Sequence, residues 1–438
     1  MSKHWDGLIF GGTAFLPEPL HNSYIGIKDG YITYIGDEKP NVLYEWEYNA
    51  EGLAIFPGLI DTHVHFRTPG LEHKEDYFHG TQAAAAGGVT TILDMPNTRP
   101  PLEYPQQISE KIAKVTGSSY VDFGFHFLLT NRNLPFIKDS ISSKSVASVK
   151  VFMAGHETAH HTVYDEEYLT SAAEILAEKG IMLTVHAEYQ PLIQGSSIPI
   201  YENRAAAVAA VQMLIRIAKK TKCAIHVLHV STIEELQLLF KAKNENIPIT
   251  YEVIHPHLAF THNDYMKLGE LLKLRPPLRE KKDVEYMWKS LIKGDIQYVS
   301  SDHAPHTIKE KKSDIPPAGM PGVQELLPMV YTELFQRTKD VTRTCSLIAK
   351  LLGENPSYLF RIANKGKIAL GYHADLTFFD YNKKWKLSSE VLYSKCGWSP
   401  YENMYFRGLV VKTMLRGKTI YSDGQMVGDA MGHPVNFN

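Results

Sequence analysis

Cysteine is scarce in this chain: three in 438 residues, Cys223, Cys345 and Cys396, odd in number and far apart. That excludes a disulfide framework and a cysteine zinc site. An excess of charge is missing too, with 46 Lys plus Arg against 48 Asp plus Glu. No global field draws such a chain to nucleic acid or an anionic membrane, so neither is an expected partner. A local basic run, Lys309–Lys312, reads as a solvated loop. No stretch reaches the roughly eighteen apolar residues of a membrane span. Met1–Phe10 carries charges and no long apolar run, so it does not read as a signal peptide, and the expected location is cytoplasmic. A Gly-rich phosphate fingerprint, sequence repeats and low-complexity linkers are also absent.

What the chain has is histidine, twenty in all. Its length suits one large domain plus a smaller one. Both ends alternate apolar and polar residues between Gly and Asp turns, over residues 8–36 and 366–428. They are expected to pair into one small sheet domain. The middle carries eight candidate strands, beginning at Leu59, Thr90, Asp122, Ser148, Met182, Ala224, Ile249 and Tyr298. Helix-like stretches separate them, such as Asp165–Lys179 and Ala205–Lys220. The expected fold class is therefore α/β, a (β/α)8 TIM barrel with a small composite β-sandwich domain. The boundaries read as 1–54 and 366–438 for the two parts of the small domain and 55–365 for the barrel.

Polar residues gather at the C-terminal ends of the candidate strands: His63, His65, Asn97, Lys150, His186, His229 and Asp302. Barrel active sites sit at that end. His63 and His65 are two apart and project to one face, flanked by Asp61 and Arg67. H-x-H alone is a weak signal, since two hydrogen-bonded core histidines look the same. Lys150 inside VKVFM is costly unless paired or neutralised. Read blandly, it is an edge or snorkelling lysine. Read chemically, a desolvated lysine is a neutral amine that takes up carbon dioxide, and the carbamate could bridge two metals. His226 competes with His229 as a ligand. Three residues apart on a strand places them on opposite faces, and His229 is preferred because it lies nearer the strand end. Four His, one modified Lys and Asp302 suit two divalent zinc ions.

With these residues in place, the chain resembles the cyclic amidohydrolases, and among them the dihydroorotases. The motifs that carry the resemblance are PGLIDTHVHFRTPG at Pro57, VKVFMAG at Val149, VHAE at Val185, HVLHVST at His226, SDHAPH at Ser301 and PAGMPGVQELLP at Pro317. NPSYLF, KGKIALGYHADL and LRGKTIYSDG extend it to nearly the whole chain. It implies that His63, His65 and Asp302 hold one zinc, that His186 and His229 hold the other, and that carbamylated Lys150 bridges them. It implies Asp302 as the proton shuttle, substrate binding by Arg67, Asn97 and His306, and closure by Ala318–Met320. One departure stands out: LRPPLR has Arg275 where the family usually has a substrate-holding Asn.

The activity implied is reversible, zinc-dependent cyclisation of N-carbamoyl-L-aspartate to dihydroorotate and water, a step of pyrimidine synthesis. The alternatives are an allantoinase or hydantoinase and, from another class, a homologue without catalysis that binds a partner. The expected partner is a small-molecule substrate, joined by a second copy of the chain or another pyrimidine-pathway enzyme.

Overall fold

Seven short apolar runs lie side by side in parallel: Leu59–Val64, Val89–Asp94, Asp122–Leu128, Ser148–Phe152, Leu183–His186, Ile225–Val227 and Ile249–Tyr251. Nearly every residue in them is buried, as parallel strands covered on both sides require. This is a computed structural model that describes residues 4–438 apart from 17, 143, 145, 156–159, 195 and 197–201. The eighth strand, Val299–Ser300, pairs with Val253–Ile254 just beyond the seventh. It returns to the first strand through a parallel bridge between Val64 and His303, where the His65 N–H donates to the His303 carbonyl at 2.8 Å. The curled sheet is the barrel. Its seventh strand is broken at Glu252, whose N–H donates to Val227 O while its own carbonyl accepts from Val230 N–H.

The helices begin where side chains can cap them. Glu166–Glu178 follows Asp165, whose carboxylate accepts from Tyr168 N–H, and Arg204–Thr221 follows Asn203, which accepts from Ala206 N–H. Both agree with the expected helices within one residue at each end. Ala206, Ala207, Ala210 and Ala218 lie on the buried stripe of the longer helix with Val211, Leu214 and Ile217. No helix among the described residues is long and apolar enough to cross a membrane.

The two chain ends build the second unit. One sheet orders Tyr31–Gly36, Tyr24–Lys28, His4–Phe10 and Leu43–Asn49. The other joins Leu376–Lys386, Tyr405–Leu415 and Lys418–Ser422 from the C-terminal part to Ala54–Pro57 and Thr13–Phe15 from the N-terminal part. Ala54–Pro57 then runs through Gly58 straight into the first barrel strand. At the N-terminal end of the barrel, Phe360, Ile362, Val435 and Phe437 form an apolar plug against Ile60, Leu93, Ala147 and Met182. Phe123 N–H donates to His433 O and Val435 N–H to Phe123 O, which seats the final segment there.

Candidate metal centre and active-site cavity

The C-terminal ends of the strands converge on a narrow cavity lined by His63, His65, Lys150, His186, His229 and Asp302, with Arg67, Arg275 and Phe152 on its wall. His63 Nε2 lies 3.3 Å and His65 Nε2 3.2 Å from the same oxygen, Asp302 Oδ1. The other ring nitrogens are committed: His63 Nδ1 lies 2.7 Å from Glu252 Oε1, and His65 Nδ1 2.7 Å from Asn97 Oδ1. Carboxylate and amide oxygens only accept, so each Nδ1 carries the proton and each Nε2 turns a lone pair toward Asp302. These three side chains could hold a metal ion. Burial lowers His65 to about 4.

A second pair faces the first. His186 Nδ1 is 3.0 Å from His229 Nε2, and His186 Nε2 is 3.0 Å from Glu188 Oε2. His186 Nε2–H thus donates to Glu188, which leaves the Nδ1 lone pair facing His229. Burial lowers both imidazoles, so both are neutral and able to ligate. Lys150 is fully buried, with Nζ 4.4 Å above the Phe152 ring and no hydrogen-bond partner among the described residues. Desolvation lowers its amine to about 7. An orphaned amine among convergent imidazole lone pairs and one carboxylate is a donor set that fits divalent cations and a carbamate.

Left-handed backbone delivers three of these groups: φ is +61° at Arg67, +40° at His229 and +48° at Asp302. Non-glycine residues in this region cluster at functional sites. The turn at His229 corrects the expectation that His226 and His229 face opposite ways. The strand stops at Val227, and the chain then swings His229 back to the mouth. His226 points inward as well, one layer deeper. Its Nε2 lies 3.5 Å from Glu252 Oε2, and its ring meets the Phe360 plug.

Arg67 is buried beside His63, His65 and Asp302 on the cavity wall. Its Nε–H donates to Pro305 O at 3.2 Å, and Nη2 lies 3.3 Å from His306 Nε2. His306 donates to Ala318 O and accepts from Lys74 Nζ. Its imidazole is held well below the ordinary value by burial, Arg67 and Lys74. Asn97 buttresses His65 and also lines an adjoining cavity of about 330 Å³. The basic run at Lys309–Lys312 is solvated only in part: Lys309 and Lys312 are exposed and Lys311 is not. Ile308–Lys311 is a capped helical turn, and Lys311 is buried, donating to Pro317 O at 3.0 Å and Gly319 O at 2.9 Å. It ties down the segment that forms the cavity roof. Gly319 sits there at φ +124°, where a Cβ would lie 2.6 Å from Ala304 O. Glu252 and Glu188 are the residues sequence reasoning missed, although Glu252 is a lone carboxylate in an apolar run and Glu188 follows His186 by two positions.

Fold and site define the class: an α/β barrel with a metal-ligating cluster at its strand ends. The chain belongs to the Amidohydrolase family, matched over residues 54–420, and is a cyclic amidohydrolase. The dihydroorotase of Pyrococcus abyssi is 34% identical over 420 residues, 94% of each chain. The allantoinase of Desulfitobacterium hafniense is 31% identical over 446 residues, 98% of each. The solved L-hydantoinase (dihydropyrimidinase) of Arthrobacter aurescens superposes with a TM-score of 0.91 at 25% identity, covering 99% of this chain and 100% of that one.

Proposed function

We propose that this cyclic amidohydrolase is a dihydroorotase, interconverting dihydroorotate plus water and N-carbamoyl-L-aspartate. The observation that carries the choice is the buried guanidinium of Arg67 on the wall of the metal-ligand cavity. A planar cationic fork suits a free ring carboxylate, which a hydantoin ring lacks. Burial lowers Arg67 only to about 10, so it stays charged.

His63, His65 and Asp302 would hold one zinc, His186 and His229 the other. Lys150, once its amine has added carbon dioxide and released a proton, would supply the anionic ligand common to both. The chemistry supplied by two bound zinc ions is polarisation of a carbonyl oxygen and acidification of a water. The chain's own residues do the rest. Arg67 orients the ring through its carboxylate, with Asn97 and His306 beside it. The Ala318–Met320 roof excludes bulk water. In ring opening, ionised Asp302 accepts the proton of the attacking water and hands it to the departing ring nitrogen. In ring closure the same carboxyl starts protonated.

Allantoinases share nearly the same identity with this chain, so the deciding experiment is one purified preparation assayed with dihydroorotate, allantoin and hydantoin side by side. Turnover of dihydroorotate well above the other two is the expected result. Preference for allantoin overturns the reading.

A further inference from the structure

Arg275 has a job that its visible contacts do not fill. It lines the same cavity as Arg67. Its side chain is 11% exposed, and Nε–H donates to Glu188 Oε2 at 2.9 Å. Nη2 is buried and has no hydrogen-bond partner among the described residues. The backbone on either side is pinned: Lys273 O accepts from Gly319 N–H, and Pro276 O accepts from His257 Nε2–H. A charged donor held rigidly beside a cavity and left unmatched is costly. The cost is recovered when a ligand oxygen arrives, and an anionic oxygen recovers most.

Two guanidinium groups, Arg67 and Arg275, therefore face one small cavity from different segments of the chain. A ring acid with one carboxylate satisfies only one of them. Hydrolysis of the ring amide adds water, breaks the C–N bond and turns the neutral carbonyl into a second carboxylate. The nitrogen leaves as a neutral ureido N–H, so the bound molecule gains one negative charge.

We propose that Arg275 is a specificity-determining residue that forms a second anion contact and makes the cavity favour the ring-opened dicarboxylate over the singly charged ring acid. This rests on the dihydroorotase reading for the identity of the two acids. The second anion contact itself does not depend on which ring is turned over. Glu188 sets the position of Arg275 and also fixes His186, so the contact lies on the His186 side of the cavity.

The test uses succinate and butyrate, which have equal carbon number and differ by one charge, titrated calorimetrically into metal-matched wild type, Arg275→Gln and Arg275→Lys. Gln keeps a donor for Glu188 and removes the charge. The preference of wild type for succinate is expected to shrink about tenfold or more in Arg275→Gln, with Arg275→Lys in between. In parallel, KM for ring closure should rise more than KM for ring opening. An unchanged succinate preference, or equal weakening of both acids, overturns the proposal. A protein that opens allantoin rather than dihydroorotate, yet shows the Arg275-dependent preference for succinate, would refute the functional reading and leave this inference standing.

Discussion

His63 and Glu252 are 189 residues apart in the chain and 2.7 Å apart in the site. The same carboxylate reaches His226 at 3.5 Å, so one side chain supports both the cavity lining and the layer beneath it. Burial would raise the Glu252 carboxyl, but His63 and His226 keep it well below the usual carboxylate range. It is therefore an anion, and it fixes the His63 tautomer that offers Nε2. Glu252→Gln is expected to weaken metal affinity about 10- to 100-fold, read by competition with a chromophoric chelator. An unaltered affinity would remove Glu252 from the site.

Lys150 carries the second prediction. Its amine titrates at about 7 because burial disfavours the charged form. Carbon dioxide adds only to the neutral amine. In metal-free protein, labelled bicarbonate should therefore give a carbamate carbon signal that grows as pH rises through about 7 and is missing in Lys150→Ala. The same variant should lose bound metal and activity together, with partial rescue of activity by a short carboxylic acid. Normal metal content in Lys150→Ala would refute the bridge.

The polar lining of the cavity was legible because such residues break the apolar rule of a buried strand. A histidine or lysine at the end of such a run is costly, and its cost marks it. The supporting shell was not legible for the complementary reason. Glu252 and Glu188 are equally costly, but Glu252 meets His63, and Glu188 meets Arg275, only where the curled sheet brings distant segments together. Lys311 looked like a surface charge because its acceptors, Pro317 O and Gly319 O, are backbone atoms with no signature of their own. His226 was assigned the wrong face because the alternation rule assumes a continuous strand, and this one ends at Val227. The composite sheet showed itself through alternation at both chain ends. The plug of Val435 and Phe437 did not, since two apolar residues make no period.

Arg67 gives the third prediction. Its guanidinium is expected to hold the ring carboxylate through a charged hydrogen bond, worth roughly 1.5–3 kcal/mol. Arg67→Met should lower kcat/KM for dihydroorotate at least about tenfold, with metal content intact. A ring without the carboxylate, such as dihydrouracil, should be affected far less. Equal losses on both substrates would make Arg67 structural and remove the main argument against a hydantoinase. Arg67→Met combined with Arg275→Gln should lose more than either alone, because each change leaves the other cation to hold the anion.

The last prediction concerns how the two units stay joined. Asp122, on the third barrel strand, is buried, and Lys365 Nζ lies 2.7 Å from its Oδ2. Arg416 Nη1 from the composite sheet reaches both oxygens at 2.6 and 2.5 Å, and His433 N–H donates to Oδ1 at 2.7 Å. One carboxylate thus joins the barrel floor, the composite sheet and the final segment. Burial alone would raise its pKa, but Lys365 and Arg416 outweigh burial and lower it below the ordinary 3.8. A carboxyl whose folded value is depressed contributes stability that is complete above 3.8 and is lost as pH falls through the lower folded value. Lys365 runs the other way. Asp375 and Asp122 overcome burial and raise it above 10.5, so its share is complete below 10.5 and is lost as pH rises through the folded value. Across the neutral range both contributions are whole. Asp122→Asn leaves Lys365 and Arg416 with one carboxylate fewer in a dry setting, a loss of about 3–5 kcal/mol for a broken buried pair. Tm at neutral pH should drop by several degrees, and the gap from wild type should narrow as pH falls below 3.8, where wild type loses the same charge. Melting curves of both proteins from acid to neutral pH read this directly. A gap that stays constant across that range would show that the Asp122 charge does not hold the two units together.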